Sequence, residues 1–160
     1  MSVRVVVGEK VVNVICAYAP HVGLGVLVKE AFWVCLDELV ESIPNEQFIV
    51  LGGDFNGHIG EGEDGYHSAH GGFGFGVRNA EGSALLEFAT AHELVIANSV
   101  FRKRAEHLIT FSSGGTTRKL ITFFCVVGML GRARTARILW KDLKGEKATE
   151  FRESLTREGA

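Results

Sequence analysis

The stretch Phe48-Ile49-Val50-Leu51-Gly52-Gly53-Asp54-Phe55-Asn56 decides the fold. A short apolar run ended by a glycine pair reads as a buried central strand. Asp54 and Asn56 then fall at the strand's carboxyl end, where α/β proteins place their sites. Two residues apart on an extended segment, their side chains point to the same side, and Phe55 points into the core between them. A carboxylate there can bind a hard cation or take a proton from water. The neighbouring amide can hold a phosphoryl oxygen without adding repulsive charge. Asp and Asn also favour turns, so a plain turn is the competing reading.

Toward the N-terminus, residues 3–7 and 11–18 are β-branched runs separated by Gly8-Glu9-Lys10, which reads as a hairpin turn. The second run is nearly continuous in apolar residues, as in a strand covered on both faces. Ala19-Pro20 ends it, because proline cannot donate to the ladder. Residues 29–43 carry apolar side chains at helical spacing (Phe32, Cys35, Leu36, Leu39, Val40, Ile43), with Trp33 and Val34 widening the face and Pro44 stopping the helix.

Toward the C-terminus, Gly52 to Gly82 holds 11 of the chain's 20 glycines, which predicts a long loop with few side chains to build a core, either a floppy insertion or a substrate-facing loop. Glu81 to His92 reads as a second helix, with Leu85, Leu86, Phe88 and Ala89 on its apolar side. Strands are expected at 93–98, 107–112 and 120–127, the last two separated by the turn Ser113-Gly114-Gly115-Thr116. The mixed order of strands and helices suits a layered α/β domain with partly antiparallel sheets. After Gly128 the composition turns basic (Arg132, Arg134, Arg137, Lys141, Lys144, Lys147), with a helix expected near 145–157. We divide the chain into a domain over 1–127 and a basic, partly helical tail over 128–160.

Composition excludes little. The net charge of −2 gives no global positive field to draw nucleic acid, which argues against a dedicated DNA-binding module more than against a nuclease. Cys16, Cys35 and Cys125 lie in apolar stretches without metal-ligand spacing and read as reduced core residues. No segment has signal-peptide character, and none approaches the roughly 20 apolar residues of a membrane span. An intracellular protein, in cytoplasm or nucleus, with no membrane association is the expectation. The cluster Gly71-Gly72-Phe73-Gly74-Phe75-Gly76 follows no strand and is rejected as a nucleotide-binding loop.

Among further candidates, Tyr18 stands at a strand end, where its hydroxyl could donate to a phosphate oxygen or simply pack at the rim of a core. Asn98 could join a polar cluster or serve as a turn residue. His21, His58, His67 and His70 read as solvated loop histidines.

Taken in order, Ala17-Tyr18-Ala19-Pro20, the helix around Lys29-Glu30-Ala31-Phe32-Trp33, Leu51-Gly52-Gly53-Asp54-Phe55-Asn56, Asn98-Ser99 and Thr110-Phe111-Ser112-Ser113-Gly114 resemble the endonuclease/exonuclease/phosphatase family. Within it the likeness is to LINE-retrotransposon-type endonucleases and craniofacial development protein 2-like members. The resemblance implies a four-layer α/β sandwich and phosphoester hydrolysis on DNA or another phosphoester with Mg²⁺ or Mn²⁺. In that scheme the metal polarises the phosphoryl group and a polarised water attacks in line. Asp54 matches the aspartate that handles the water, Asn56 the asparagine that binds phosphate, Tyr18 the tyrosine facing the phosphate, and Asn98 a substrate-side asparagine. Against the family pattern, the chain starts after the strands that carry an asparagine and the metal-binding glutamate. Ile121-Thr122-Phe123 stands where the family has Ile-Asp-Tyr, and no histidine follows His107. The expectation is an incomplete sandwich and a truncated, catalytically impaired relative of these phosphodiesterases. A residual DNA endonuclease and a non-enzymatic protein- or nucleic-acid-binding module, contacting phosphates through Arg132, Arg134, Arg137 and Lys141, are the alternatives.

Overall fold

A computed structural model describes residues 1–100 together with the strand segments 111–113, 116–118 and 126–129. The described part is mixed α/β. The strands are β1 (Ser2–Val7), β2 (Lys10–Tyr18), β3 (Phe48–Asp54), β4 (Val95–Ile96), β5 (Phe111–Ser113), β6 (Thr116–Arg118) and β7 (Val126–Met129). The helices are α1 (Val26–Glu41) and α2 (Ala80–Ala91).

Five strands form one sheet in the order β1-β2-β3-β7-β4, and β5 and β6 form a separate two-stranded sheet. β1 and β2 pair as an antiparallel hairpin closed by Val7 and Lys10, with Gly8 at φ +61 in the two-residue turn. β2 and β3 run parallel, with Ile15 opposite Leu51 and Tyr18 opposite Asp54. β7 lies antiparallel between β3 and β4, and its Val126 is partnered by both Leu51 and Ile96. β4 therefore runs in the same direction as β2 and β3, and all three finish at one edge of the sheet.

The same register puts Ile15, Leu51 and Ile96 in a single row on one face. All three are buried in the core with Leu36 and Val40 of α1 and Leu85, Leu86, Phe88 and Ala89 of α2. The two helices make one layer over that face. They meet through Trp33 against Phe88, with ring centroids 5.4 Å apart, and through His92 Nε2 to Asp37 Oδ1 at 2.6 Å. The phenyl ring of Phe55 stacks on Trp33 at 6.2 Å and 14° and meets Phe32 edge-on at 6.4 Å. These rings anchor the end of β3 to α1.

The structure changes several expectations. Helix α1 begins at Val26 rather than residue 29, behind Gly25, and its first turn leaves Val26, Leu27 and Val28 exposed. Cys16 and Cys35 are exposed, not core. Cys16 falls on the face of β2 opposite Ile15, so only one face of that strand is deeply buried, and Cys35 lies on the solvent side of α1. The third cysteine, Cys125, lies outside the described residues. The strand expected over 93–98 is reduced to Val95–Ile96, because the chain turns into a 3₁₀ turn at Ala97–Ser99. The strands expected at 107–112 and 120–127 are found in part. Their described portions are β5, which pairs antiparallel with β6, and β7, which runs on to Met129. The basic stretch from Arg132 and the helix expected near 145–157 lie outside the described residues.

In the glycine-rich segment, residues 55–79 form a packed loop, which removes the floppy reading of the two the sequence left open. Ile59 and Ala69 are buried in the core. The guanidinium of Arg78 donates to Ile59 O at 2.9 Å and Gly62 O at 3.2 Å and lies 5.0 Å from the ring of Tyr66. Ile96 N donates to Ala69 O at 2.9 Å and Phe73 N to Ser99 O at 2.9 Å, so the loop is fastened along the end of β4. Glycine serves here for close approach. A Cβ on Gly82, in the first turn of α2, would sit 1.8 Å from His58 O.

Candidate functional site at the strand ends

The C-terminal ends of β2 and β3 bring Tyr18 and Asp54 side by side as register partners, about 4.8 Å apart across the ladder. Directly opposed residues share a face, and this is the face away from the helices, because Ile15 and Leu51 take the other one. The ladder continues one step beyond the strands, with Ala19 N donating to Asp54 O at 2.7 Å. Gly53 makes this junction possible: it has φ +149, and a Cβ there would lie 1.7 Å from Ala17 O. A side chain at position 53 would push β3 away from β2 where the two strands deliver Tyr18 and Asp54.

Asp54 is half-buried and Asn56 N donates to its Oδ1 at 2.9 Å. Asn56 takes φ +50, in the left-handed region that Asn tolerates better than most residues. Past Asp54, the last residue of β3, the chain leaves the extended path at Asn56 and closes the Asp turn that was the competing reading of the sequence. Turn and site are compatible here. The turn fixes one carboxylate oxygen of Asp54 and leaves the other without a partner among the described residues. The side chain of Asn56 reaches back across the edge, its Nδ2 donating to Ala19 O at 2.7 Å, and latches the end of β2. The second hydrogen on that nitrogen remains for another acceptor. Phe55 is 1% exposed and points into the core between the two polar residues, as expected.

Tyr18 is 74% exposed, so it is not packed at a core rim. Asn98 lies in the 3₁₀ turn that follows β4 at the same edge, half-buried. In the sheet order β7 lies between β4 and β3. Tyr18, Asp54 and Asn56 form one group at the ends of β2 and β3, and Asn98 follows the end of β4.

Of the histidines, His21 and His58 are exposed, and exposed His67 pairs with Glu63 four residues before it. His70 overturns the solvated reading. It is 1% exposed, Gly72 N donates to its Nδ1 at 2.9 Å, and its Nε2–H donates to Gly60 O at 3.2 Å. Two bonds of opposite sense fix a neutral tautomer, and burial lowers its pKa below the ordinary 6.5.

Three further groups escaped the sequence reading. Asn79 caps α2: its Oδ1 accepts from Gly82 N and from His58 N, each at 2.8 Å, so one oxygen joins helix and loop. Its position just before the helical pattern is the signal that could have found it. Ser99 is fully buried, donating to Ile96 O at 2.6 Å and accepting from Gly71 N at 2.9 Å. Lys29 Nζ donates to Glu81 Oε1 at 2.8 Å and to Val22 O at 2.9 Å. The hydrogen bond from Lys29 holds Glu81 below the usual carboxylate range. That pair sits close behind the turn, since a Cβ on Gly57 would meet the backbone of Glu81 at 2.8 Å.

Among the described residues no group of three or more His, Cys, Asp or Glu side chains is placed to hold a metal ion. The free oxygen of Asp54 could give one ligand to Mg²⁺ or Mn²⁺, whose octahedral shell is otherwise made up largely of water and phosphate oxygens. Thr122 lies outside the described residues. No helix among them is long and apolar enough to cross a membrane.

No protein-family model matches the chain, and no solved structure matches it. Over 82 residues the chain is 33% identical to craniofacial development protein 2 of Tragulus javanicus, and equally to craniofacial development protein 2 of Bos taurus. The matched region is 51% of this chain, and it spans 14% of the length of these curated relatives.

Proposed function

We propose that this chain carries part of a four-layer sandwich of the endonuclease/exonuclease/phosphatase type, whose strand ends at Tyr18, Asp54 and Asn56 receive a phosphoester, and that its hydrolytic capacity is strongly reduced. The observation that carries this reading is the register of Tyr18 with Asp54 at the ends of two parallel strands. The likeness to craniofacial development protein 2 supports it.

Each residue has a role that follows from its geometry. The free oxygen of Asp54 accepts a proton from a water and orients it. The bond from Asn56 N holds the carboxylate in place while that happens. The hydroxyl of Tyr18 and the second hydrogen on Asn56 Nδ2 donate to phosphoryl oxygens. The reduction in activity rests on Thr122, which cannot supply the carboxylate that stands in its place in the resembled family. Members of a catalytic constellation act as a unit, so the loss of one removes orders of magnitude of rate.

The test is hydrolysis of plasmid and abasic-site DNA with Mg²⁺ present. The expected outcome is turnover no higher than that of the Asp54→Ala variant. Turnover that Asp54→Ala abolishes would overturn the claim of impairment. Phosphoester recognition is tested separately by backbone chemical shifts with a dinucleotide. Shifts should concentrate at Ala17–Ala19 and 54–57, and their absence would remove the reading. Without metal, Asp54 repels the phosphate. At ~4 Å in water the repulsion is about 1 kcal/mol, so Asp54→Asn should bind the dinucleotide about fivefold more tightly.

A further inference from the structure

Two segments leave the strand ends that carry Tyr18, Asp54 and Asn56. One follows β2 through Ala19 to Val22, and the other follows β3 through Asn56 to Gly57. They are joined once at the edge itself, by Ala19 N to Asp54 O and by Asn56 Nδ2 to Ala19 O, each at 2.7 Å. They are joined a second time through the two helices. Lys29 Nζ donates to Val22 O at 2.9 Å and to Glu81 Oε1 at 2.8 Å. Glu81 lies in the first turn of α2, and Gly57 rests on the peptide that links it to Gly82. A Cβ on Gly57 would lie 2.8 Å from Glu81 C and from Gly82 N. One ammonium therefore reaches both the segment that leaves β2 and the base under the segment that leaves β3.

Lys29 is the fourth residue of α1, near a helix N-terminus, where the backbone dipole disfavours a cation. Glu81 is the second residue of α2, where the same dipole favours a carboxylate. The lysine is thus held by its partners, against its own helix. Its side chain is 26% exposed and that of Glu81 13%, so water competes weakly for this charge-assisted bond, and it is stronger than a surface pair. A second polar contact between the helices, His92 Nε2 to Asp37 Oδ1, lies toward their C-terminal ends and touches neither segment.

We propose that Lys29, acting through Glu81 and Val22, is a positioning residue of the strand-end site, a role that rests on the phosphoester reading of Tyr18, Asp54 and Asn56. It touches none of the three. It holds the two segments at the separation that lets Asn56 latch Ala19 and keeps Tyr18 beside Asp54. Without it the edge bonds alone resist the parting of the strand ends, and the donors from Tyr18 and Asn56 no longer meet one phosphate together.

The test is amide hydrogen exchange of the full chain, read residue by residue, beside titration with the dinucleotide. Lys29→Met keeps the apolar stem and removes the ammonium. It should speed exchange at Ala19 and Asn56 about tenfold, and weaken the dinucleotide about tenfold, the loss of one charge-assisted bond in each case. Leu94 N–H, which donates to Ala89 O at the other end of α2, should exchange as in the parent. Global destabilisation would speed all three alike. Asp37→Asn weakens the remote contact between the helices and should change neither the two amides nor the affinity. If Lys29→Met fails to fold, Glu81→Gln keeps an acceptor without the charge and should give the same pattern at smaller amplitude. Parent-like exchange at Ala19 and Asn56, acceleration shared by Leu94, an equal effect of Asp37→Asn, or unchanged affinity in a variant whose edge amides do exchange faster would overturn the proposal. A parent chain that binds no dinucleotide, with the two amides still accelerated in Lys29→Met, would remove the phosphoester reading and support the tie.

Discussion

Replacing Asn79 by Ala tests how the helix layer and the glycine-rich loop are held together. One carboxamide oxygen accepts from Gly82 N in the first turn of α2 and from His58 N in the loop, both at 2.8 Å. Losing the cap costs about 1 kcal/mol. The second bond is worth ~0.5–1 kcal/mol, at the low end because water can reach the N–H of exposed His58. The sum is about 1.5–2 kcal/mol. In a chain of this size that lowers Tm by roughly 3–8 °C. Asn79→Asp keeps the acceptor and places a negative charge at a helix N-terminus, worth ~0.3–1 kcal/mol, offset by repulsion from Glu81 in the same turn. It should leave stability nearly unchanged. Urea titration followed by circular dichroism gives both values, read as a change in midpoint at constant slope. An Ala variant within ~0.5 kcal/mol of the parent, or an Asp variant as unstable as Ala, would refute the reasoning.

Further predictions concern the core, the buried histidine and a close contact. Phe55→Ala removes a ring that is 1% exposed and stacked on Trp33. It should cost about 3–5 kcal/mol in the same titration and broaden amide signals at residues 54–57. His70 stays neutral in the folded state at a pH where the unfolded chain has gained a proton, so the unfolded state binds more protons. Stability should therefore be full above about pH 6.5 and fall as pH drops below it, and His70→Gln should flatten that slope in urea titrations at stepped pH. Glu81, held low by Lys29, adds a second loss below about pH 4.5, which Lys29→Met should remove. Gly82→Ala places a methyl 1.8 Å from His58 O. It should destabilise the chain despite alanine's better helix propensity, and a gain in Tm would contradict the close approach.

The elements that were legible in sequence are those whose signal is local. The β-branched runs, the apolar stripe of α2 and the short run of β3 each carry their own pattern, and the structure places strands and helices there. Phe55 was readable as core because it alternates with two polar residues. The glycine-rich segment stayed open because its glycines are explained by partners far along the chain: Gly82 is small on account of His58, and Gly53 on account of Ala17. His70 misled for the same reason, since Gly60 satisfies it from ten residues away. At Cys16 and Cys35 apolar neighbours in sequence did not mean burial, because which face of β2 and α1 turns inward is settled by packing. At the candidate site, the strand-end placement of Tyr18 and Asp54 followed from the pattern. Their direct opposition did not, because register is a property of two strands at once. The left-handed turn at Asn56 was equally hidden, since Asp-Phe-Asn fits both an extended run and a turn.

The stacking of Phe55 on Trp33 gives the strand-end site an optical signal of its own. The indole lies parallel to a ring whose chain neighbours are Asp54 and Asn56, and it also touches Phe32 and Phe88. The chain's other tryptophan is Trp140. In a Trp140→Phe background the emission of Trp33 alone would be observed. Any event that shifts the turn at residues 54–56 changes the surroundings of that indole, so occupancy of the site could be followed by fluorescence with no label attached.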